Sequence, residues 1–154
     1  MRVLRNGLVA GLAALLLMGC ASTGVPRASL RVETPLVALS GTDALIARYA
    51  VLYEVPEALI RRIIVRESGY NARARHGPFW GLMQIRYDTA QSMGYRGPAS
   101  GLLDADTNLR YGVRYLRGAW LLSKGSLDRA VQLYASGYYY VAKSRGMLVD
   151  VGLR

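Results

Sequence analysis

The chain has 154 residues, of which 52% are hydrophobic, and its formal net charge at pH 7 is +10. This length accommodates one domain and a leader but not two domains with separate cores, and the hydrophobic content excludes a disordered chain. A single cysteine excludes an intramolecular disulfide, so packing must stabilise the domain. The positive charge fits a polyanionic partner and equally fits a solvated surface, so it selects no function.

The first twenty residues have the composition of an export signal. Two arginines precede an apolar run over residues 8–18, and Gly19-Cys20 follows it. This run is shorter than the ~20 residues of a permanent membrane-spanning helix. Residues 17–20, Leu-Met-Gly-Cys, resemble the lipobox of bacterial lipoproteins, in which the cysteine is acylated and becomes the first mature residue. The resemblance implies a signal peptide over residues 1–19 and lipidation of Cys20. The alternative is an ordinary signal peptide that contains a cysteine.

Residues 20–41 are predicted to form a lipid-anchored, flexible tether. They mix Ser, Thr, Gly and Pro without a sustained hydrophobic period. A flexible coil of ~21 residues has a root-mean-square reach of ~25 Å, which is enough to hold a domain off a membrane. Because Ala21 rather than aspartate follows Cys20, the likeness to lipoproteins implies a periplasmic protein anchored to the outer membrane.

From residue 42 onward the spacing of apolar residues predicts helices and no convincing strand, which places the domain in the all-α class. Thr42 or Asp43 can cap a first helix. Pro56 occupies the first turn of a second helix, which runs to about Glu67. The buried stripe of this second helix is expected to consist of Leu59, Ile60, Ile63 and Ile64.

The second half of the domain has clear helix boundaries. After a glycine-rich loop, a short helix is predicted near residues 89–93. Asp104 can cap a long helix that ends near Gly125, and Ser126 can cap the next helix, which Gly137 ends. A final helix over residues 138–144 completes a domain predicted to span residues 42–145, with residues 146–154 as a C-terminal tail.

Glu67 is the strongest candidate for a catalytic acid. It follows Ile63 by four residues and Ile64 by three, so it continues the apolar stripe at the C-terminal end of its helix. Burial and the negative end of the helix dipole both disfavour the ionised carboxyl and raise its pKa. A carboxyl held protonated in this way can deliver a proton to a leaving oxygen. The alternative is a structural glutamate paired with a nearby arginine.

Four ordered motifs around Glu67 resemble the soluble lytic transglycosylase (SLT) domain family over about residues 45–140. The motifs are Arg66-Glu67-Ser68-Gly69-Tyr70-Asn71, Gly81-Leu82-Met83-Gln84-Ile85, Asp106-Thr107-Asn108-Leu109 with Gly112 and Tyr115-Leu116, and Leu133-Tyr134-Ala135-Ser136-Gly137. The resemblance implies a goose-type, lysozyme-like helical fold. It also implies a lytic transglycosylase that cleaves the β-1,4 bond between N-acetylmuramic acid (MurNAc) and N-acetylglucosamine (GlcNAc) in peptidoglycan.

The same resemblance assigns roles to individual residues. Glu67 would be the catalytic acid and base, and the substrate-binding residues would be Ser68, His76, Met83, Gln84 and Tyr134. The amide of Gln84, in an apolar pentapeptide, needs a partner that is either a sugar N-acetyl group or backbone. Tyr134 lies on an apolar helical face and is either plain core or a core residue whose hydroxyl reaches a cleft.

Two positions depart from the family pattern. His76 stands nine residues after the acid, where many members carry a small hydroxyl residue, and Ala135 replaces the asparagine of the fourth motif. Because of these departures, a lipoprotein that binds glycan without cutting it remains an alternative.

No second acid accompanies Glu67 in the sequence, whereas glycosidases that use water usually need two carboxylates. By resemblance, Glu67 would protonate the bridging oxygen and then accept the proton of the sugar's own 6-hydroxyl, which gives 1,6-anhydro-MurNAc. A muramidase-type hydrolase is the alternative.

No metal or cofactor is expected, because no Cys/His cluster has ligand spacing. We expect a monomer that binds the glycan strand, and the membrane through Cys20, but not nucleic acid.

Overall fold

The protein is described by a computed structural model that defines residues 41–153, so the predicted signal peptide, the lipidation site at Cys20 and nearly all of the tether lie outside the described residues. Within this range the helices are α1 (Gly41–Tyr53), α2 (Glu57–Ser68), α3 (Tyr87–Ser92), α4 (Ala105–Leu122), α5 (Leu127–Ser136) and α6 (Tyr139–Ser144), with a 3₁₀ helix at Ala99–Leu103. Three strands, β1 (Arg75–His76), β2 (Phe79–Trp80) and β3 (Ile85–Arg86), lie between α2 and α3. The predominance of helices confirms the predicted fold class.

None of the helices in residues 41–153 combines the length and apolar character that a bilayer crossing requires.

One face of the helix α2 is buried in the core of the domain. Its four apolar residues, Leu59, Ile60, Ile63 and Ile64, have no exposed surface, as the helical period predicts. The long helix α4 packs against α1 and α5, and α2 packs against the same two helices. The buried face of α2 is therefore held by α1 and α5.

The predicted caps of α4 and α5 are confirmed. The carboxylate of Asp104 accepts a hydrogen bond from the backbone N–H of Thr107 at 2.8 Å, and the hydroxyl of Ser126 accepts one from the N–H of Arg129 at 3.2 Å. The structure describes α1 from Gly41, so Thr42 and Asp43 lie inside that helix. The carboxylate of Asp43 instead pairs with Arg61 of α2.

The loop predicted between α2 and α3 contains a small antiparallel sheet in the order β1-β2-β3. Arg75 pairs with Trp80, and Phe79 pairs with Arg86. Each strand has two residues, too few to display the alternating pattern by which strands are recognised in a sequence. The sheet lies beside the C-terminal end of α2 in sequence and carries His76 and Phe79.

The segment predicted as a C-terminal tail packs on the helices. Val151 is buried in the same core as α2 and α4, and Met147 and Leu148 pack against that core. The described domain thus continues past the expected boundary at residue 145, because these apolar residues recur in the last stretch of the chain.

Candidate active site

Glu67 lines a cleft at the C-terminal end of α2. The cleft has a volume of about 320 Å³, and the exposed fraction of the Glu67 side chain is 23%. The other residues that line it are Arg66, His76, Phe79, Gln84, Tyr134 and Ala135. Among these described lining residues Glu67 is the one carboxylate.

Two opposing effects act on the Glu67 carboxyl. Burial raises its pKa above the ordinary value, and the neighbouring Arg66 guanidinium works in the opposite direction. The Arg66 Nε atom lies 3.6 Å from Oε1 of Glu67, and half of the arginine side chain is exposed, so solvent screens this pair. Burial is the larger effect, and the site therefore favours a protonated carboxyl.

Two other nearby arginines have partners elsewhere. Arg62 pairs with Asp128 at 2.6 Å, and the guanidinium of Arg75 lies 4.1 Å from the centroid of the Trp80 ring. Glu67 is therefore not locked into a structural ion-pair network away from the cleft.

The site loop, our term for residues 81–84, brings Gln84 to the cleft. Its carbonyl oxygens accept hydrogen bonds from the other motifs: the hydroxyl of Ser68 donates to Leu82 at 2.7 Å, and the hydroxyl of Tyr134 donates to Met83 at 2.8 Å. These bonds join the loop to α2 and α5.

Asn108, in α4, fixes the beginning of the site loop. Its side chain is fully buried, and its Nδ2 atom donates to the carbonyl oxygens of Trp80 and Leu102, both at 2.8 Å. Its Oδ1 atom accepts the backbone N–H of Met83 at 2.8 Å. The buried amide is thus fully paired, as a polar group in a core must be.

The motif glycines allow α4 and the site loop to approach closely. Gly81 has φ +69°, and a Cβ atom placed there would lie 2.3 Å from Nδ2 of Asn108 and 2.4 Å from the carbonyl oxygen of Leu102. A Cβ atom at Gly112 would lie 2.6 Å from Sδ of Met83. Both glycines therefore have a packing role, because a larger side chain would not fit at either position.

The amide of Gln84 has protein partners for each of its polar atoms. Its Nε2 atom donates to the carbonyl oxygens of Ala74 at 3.1 Å and Gly81 at 2.8 Å, and its Oε1 atom lies 2.8 Å from Nδ1 of His76. The backbone of Gln84 has φ +47°, a left-handed conformation that this network holds in place. Of the two partners expected for this amide, the structure supplies the backbone.

The structure brings four of the six residues predicted for the site to the cleft: Glu67, His76, Gln84 and Tyr134. Two predicted substrate contacts require correction. The side chain of Met83 has no exposed surface, because it fills the space against Gly112, and the hydroxyl of Ser68 is bonded to backbone carbonyls of Leu82 and Ile64. Both residues stabilise the backbone around the site through these contacts.

A second cavity of about 260 Å³ shares four lining residues with the Glu67 cleft, namely Phe79, Gln84, Tyr134 and Ala135. The two cavities therefore adjoin each other, and we term them together the groove. Phe79 is 39% exposed and Tyr115 lines the second cavity, and neither was predicted as a site residue. The sequence signal was available for Phe79, an aromatic residue in a glycine-rich loop next to the second motif.

A larger cavity of about 540 Å³ lies between α3, α4 and the C-terminal segment. It is lined by Gln91, Ser92, Met93, Gly94, Arg96, Arg114, Val149, Gly152 and Leu153. No carboxylate occurs among these described residues, so this cavity offers no acid. Within residues 41–153 no cluster of three or more His, Cys, Asp or Glu side chains could hold a metal ion.

A sequence model of the family described as the transglycosylase SLT domain matches residues 44–146, which is about two thirds of the chain. No solved structure matches the chain.

Proposed function

The chain belongs to the transglycosylase SLT domain family, whose members share a lysozyme-like helical fold and act on peptidoglycan, and on this premise we propose that it is a lytic transglycosylase. Its reaction would cleave the β-1,4 bond between MurNAc and GlcNAc and leave a 1,6-anhydro-MurNAc end. The observation that carries the proposal is the half-buried Glu67, whose pKa is raised by burial and which alone supplies a carboxylate among the described residues of the cleft.

In the first step the protonated Glu67 donates its proton to the bridging oxygen. The bond between C1 of MurNAc and this oxygen breaks, and GlcNAc leaves with a free 4-hydroxyl. A raised pKa matches this task, because a general acid works best when it still holds its proton near the working pH.

In the second step the Glu67 carboxylate accepts the proton of the MurNAc 6-hydroxyl while that oxygen bonds to C1. The enzyme regains its starting protonation state, and no water is consumed. The absence of a second acid among the described lining residues supports this route, because a hydrolase would need a carboxylate ~5–5.5 Å away for retention or ~6.5–9.5 Å away for inversion.

The remaining site residues hold the groove in shape and contact the glycan. Gln84 and Tyr134 line the cleft together with Glu67 and are held by their bonds to backbone carbonyls, and His76 and Phe79 lie exposed at the cleft. The adjoining cavity shares Ala135 with the Glu67 cleft, and it gives the strand room beyond the cleft itself.

The lipid anchor and the cell compartment are part of the proposal. The lipobox-like residues 17–20 support acylation of Cys20, and Ala21 after them supports attachment to the outer membrane, within reach of the periplasmic glycan. Cys20→Ala should move the protein from the membrane fraction to the soluble fraction. Membrane retention of this variant would contradict the anchor.

Digestion of purified peptidoglycan sacculi, followed by mass spectrometry of the released muropeptides, tests the reaction. We expect products with anhydro ends, each lighter by one water than the corresponding hydrolysis product. Reducing ends without anhydro ends would identify a muramidase-type hydrolase. Glycan binding without any released product would identify a non-catalytic lipoprotein.

A further inference from the structure

The hydrogen bonds of Gln84 define the direction of its amide group. Its Nε2 atom faces two carbonyl oxygens, those of Ala74 and Gly81. If the amide were reversed, its oxygen would face these two acceptors and no hydrogen bond would form with either. The Oε1 atom must therefore be the one that faces His76.

The direction of the Gln84 amide in turn defines the protonation of His76. Amide oxygens only accept hydrogen bonds, and Oε1 of Gln84 lies 2.8 Å from Nδ1 of His76. The hydrogen must therefore reside on Nδ1. In the neutral imidazole this leaves Nε2 without a hydrogen, as an acceptor.

The Nε2 atom is available to a ligand. His76 is exposed and lines the same cleft as Glu67, whereas Gln84, to which its Nδ1 edge is bonded, is 7% exposed. Among residues 41–153 no partner of Nε2 occurs. The charged groups that line the cleft beside it are Glu67 and Arg66, and the guanidinium of the adjacent Arg75 lies over Trp80 instead.

We propose that neutral His76 binds the glycan through Nε2, which accepts a hydrogen bond from a sugar hydroxyl beside Glu67. This inference rests on the proposed function for the identity of the ligand. It assigns to His76 a binding role that differs from that of a small hydroxyl side chain, because a hydroxyl can donate or accept, whereas this nitrogen can only accept while the imidazole is neutral.

The tautomer can be measured directly, because the chain contains a single histidine. In the full chain, ¹⁵N NMR of the neutral imidazole should give a protonated-type shift for Nδ1 and an unprotonated-type shift for Nε2. This readout does not depend on catalysis. A neutral imidazole protonated at Nε2 would overturn the inference.

Two substitutions of His76 test the roles of Nδ1 and Nε2 separately. Both are made in the Glu67→Gln variant so that the glycan is not cut. In His76→Asn the side-chain amide nitrogen reaches the position of Nδ1 and can still donate to Gln84, but no atom replaces Nε2. In His76→Gln the amide reaches the position of Nε2, and the bond to Gln84 is lost. Calorimetric titration with a GlcNAc–MurNAc tetrasaccharide measures binding, and thermal unfolding measures stability.

We expect His76→Asn to bind the tetrasaccharide about fivefold more weakly than the parent with an unchanged Tm, since one neutral hydrogen bond is lost. His76→Gln should lower the Tm but stay within about twofold of the parent in affinity. Unchanged affinity in His76→Asn would overturn this inference alone. Failure of the parent to bind the tetrasaccharide would overturn the inference together with the glycan as substrate, whereas hydrolytic products from the wild type would overturn only the proposed reaction.

Discussion

The hydroxyl of Ser68 lies 2.7 Å from the carbonyl oxygen of Leu82, and this bond joins the residue after Glu67 to the site loop. The other motifs converge on the same stretch of backbone: Asn108 bonds to Trp80 and Met83, and Tyr134 also bonds to Met83. The four motifs therefore act together to hold the site loop against the C-terminal end of α2.

Gly81→Ala should destabilise the domain strongly, by roughly 3 kcal/mol or more, because a Cβ atom would overlap both Asn108 and the carbonyl oxygen of Leu102 in a left-handed backbone. Gly77→Ala is the matched control. Gly77 also has positive φ, +58°, but open space around its Cβ position, so the expected cost is about 1 kcal/mol. Urea unfolding of both variants checks the difference, and equal losses would show that the close approach to α4 is not required.

Tyr134→Phe removes the hydroxyl that donates to Met83 and leaves a buried carbonyl oxygen without its partner. We expect a loss of about 1–3 kcal/mol in the free energy of unfolding, which for a domain of this size lowers the Tm by about 5 °C or more. Tyr139→Phe, at an exposed tyrosine at the start of α6, should change stability by less than about 0.5 kcal/mol. Thermal unfolding compares the two, and a Tyr134→Phe variant as stable as Tyr139→Phe would rule out the contribution of the hydroxyl.

Much of this arrangement was predictable from the sequence. The apolar period placed α2 and its buried stripe, and the capping residues Asp104 and Ser126 located the starts of α4 and α5, because both signals are local. Burial of Glu67 was predicted because it continues that stripe, and the structure places its half-buried side chain on the wall of a cleft.

The features that could not be predicted from the sequence depend on contacts between distant parts of the chain. The strands β1 to β3 are too short to have a period, and the 3₁₀ helix has no local signal of its own. Ser68 and Met83 are adjacent to site residues in the sequence but turn inward. Which of two neighbouring side chains faces a cleft is decided by tertiary partners, here Leu82 and Gly112.

Ala135→Trp should obstruct the groove, because Ala135 lines both the Glu67 cleft and the adjoining cavity. We expect the KM for soluble glycan strands to rise by about tenfold or more while the Tm stays close to that of the wild type, since residue 135 is exposed. Gln132→Trp, at an exposed position of the same helix outside both cavities, is the control. If both variants have the KM of the wild type, the glycan does not pass Ala135.

The stability of Glu67→Gln relative to the wild type should depend on pH. Burial raises the pKa of the Glu67 carboxyl in the folded state, so the folded protein holds this proton to higher pH than the unfolded chain does. The stability that this proton contributes is present at low pH and is lost as the pH rises through the raised pKa. The Tm of Glu67→Gln minus that of the wild type should therefore increase as the pH rises from about 4 toward neutrality.

Glu57→Gln, at a half-exposed glutamate in the first turn of α2, controls for the loss of one negative charge. Scanning calorimetry over a pH series measures both variants. A Tm difference for Glu67→Gln that is flat or falls with rising pH would mean that the carboxyl is not held protonated by burial.

The most direct test of the account is the rate at which the wild type, Glu67→Gln and Glu57→Gln release soluble muropeptides from purified sacculi. General acid–base catalysis typically contributes 10²–10⁴ in rate, so Glu67→Gln should lose about 10³-fold or more while still binding sacculi, and Glu57→Gln should remain close to the wild type. A Glu67→Gln variant that releases muropeptides as fast as Glu57→Gln would contradict the assignment of Glu67 as the acid.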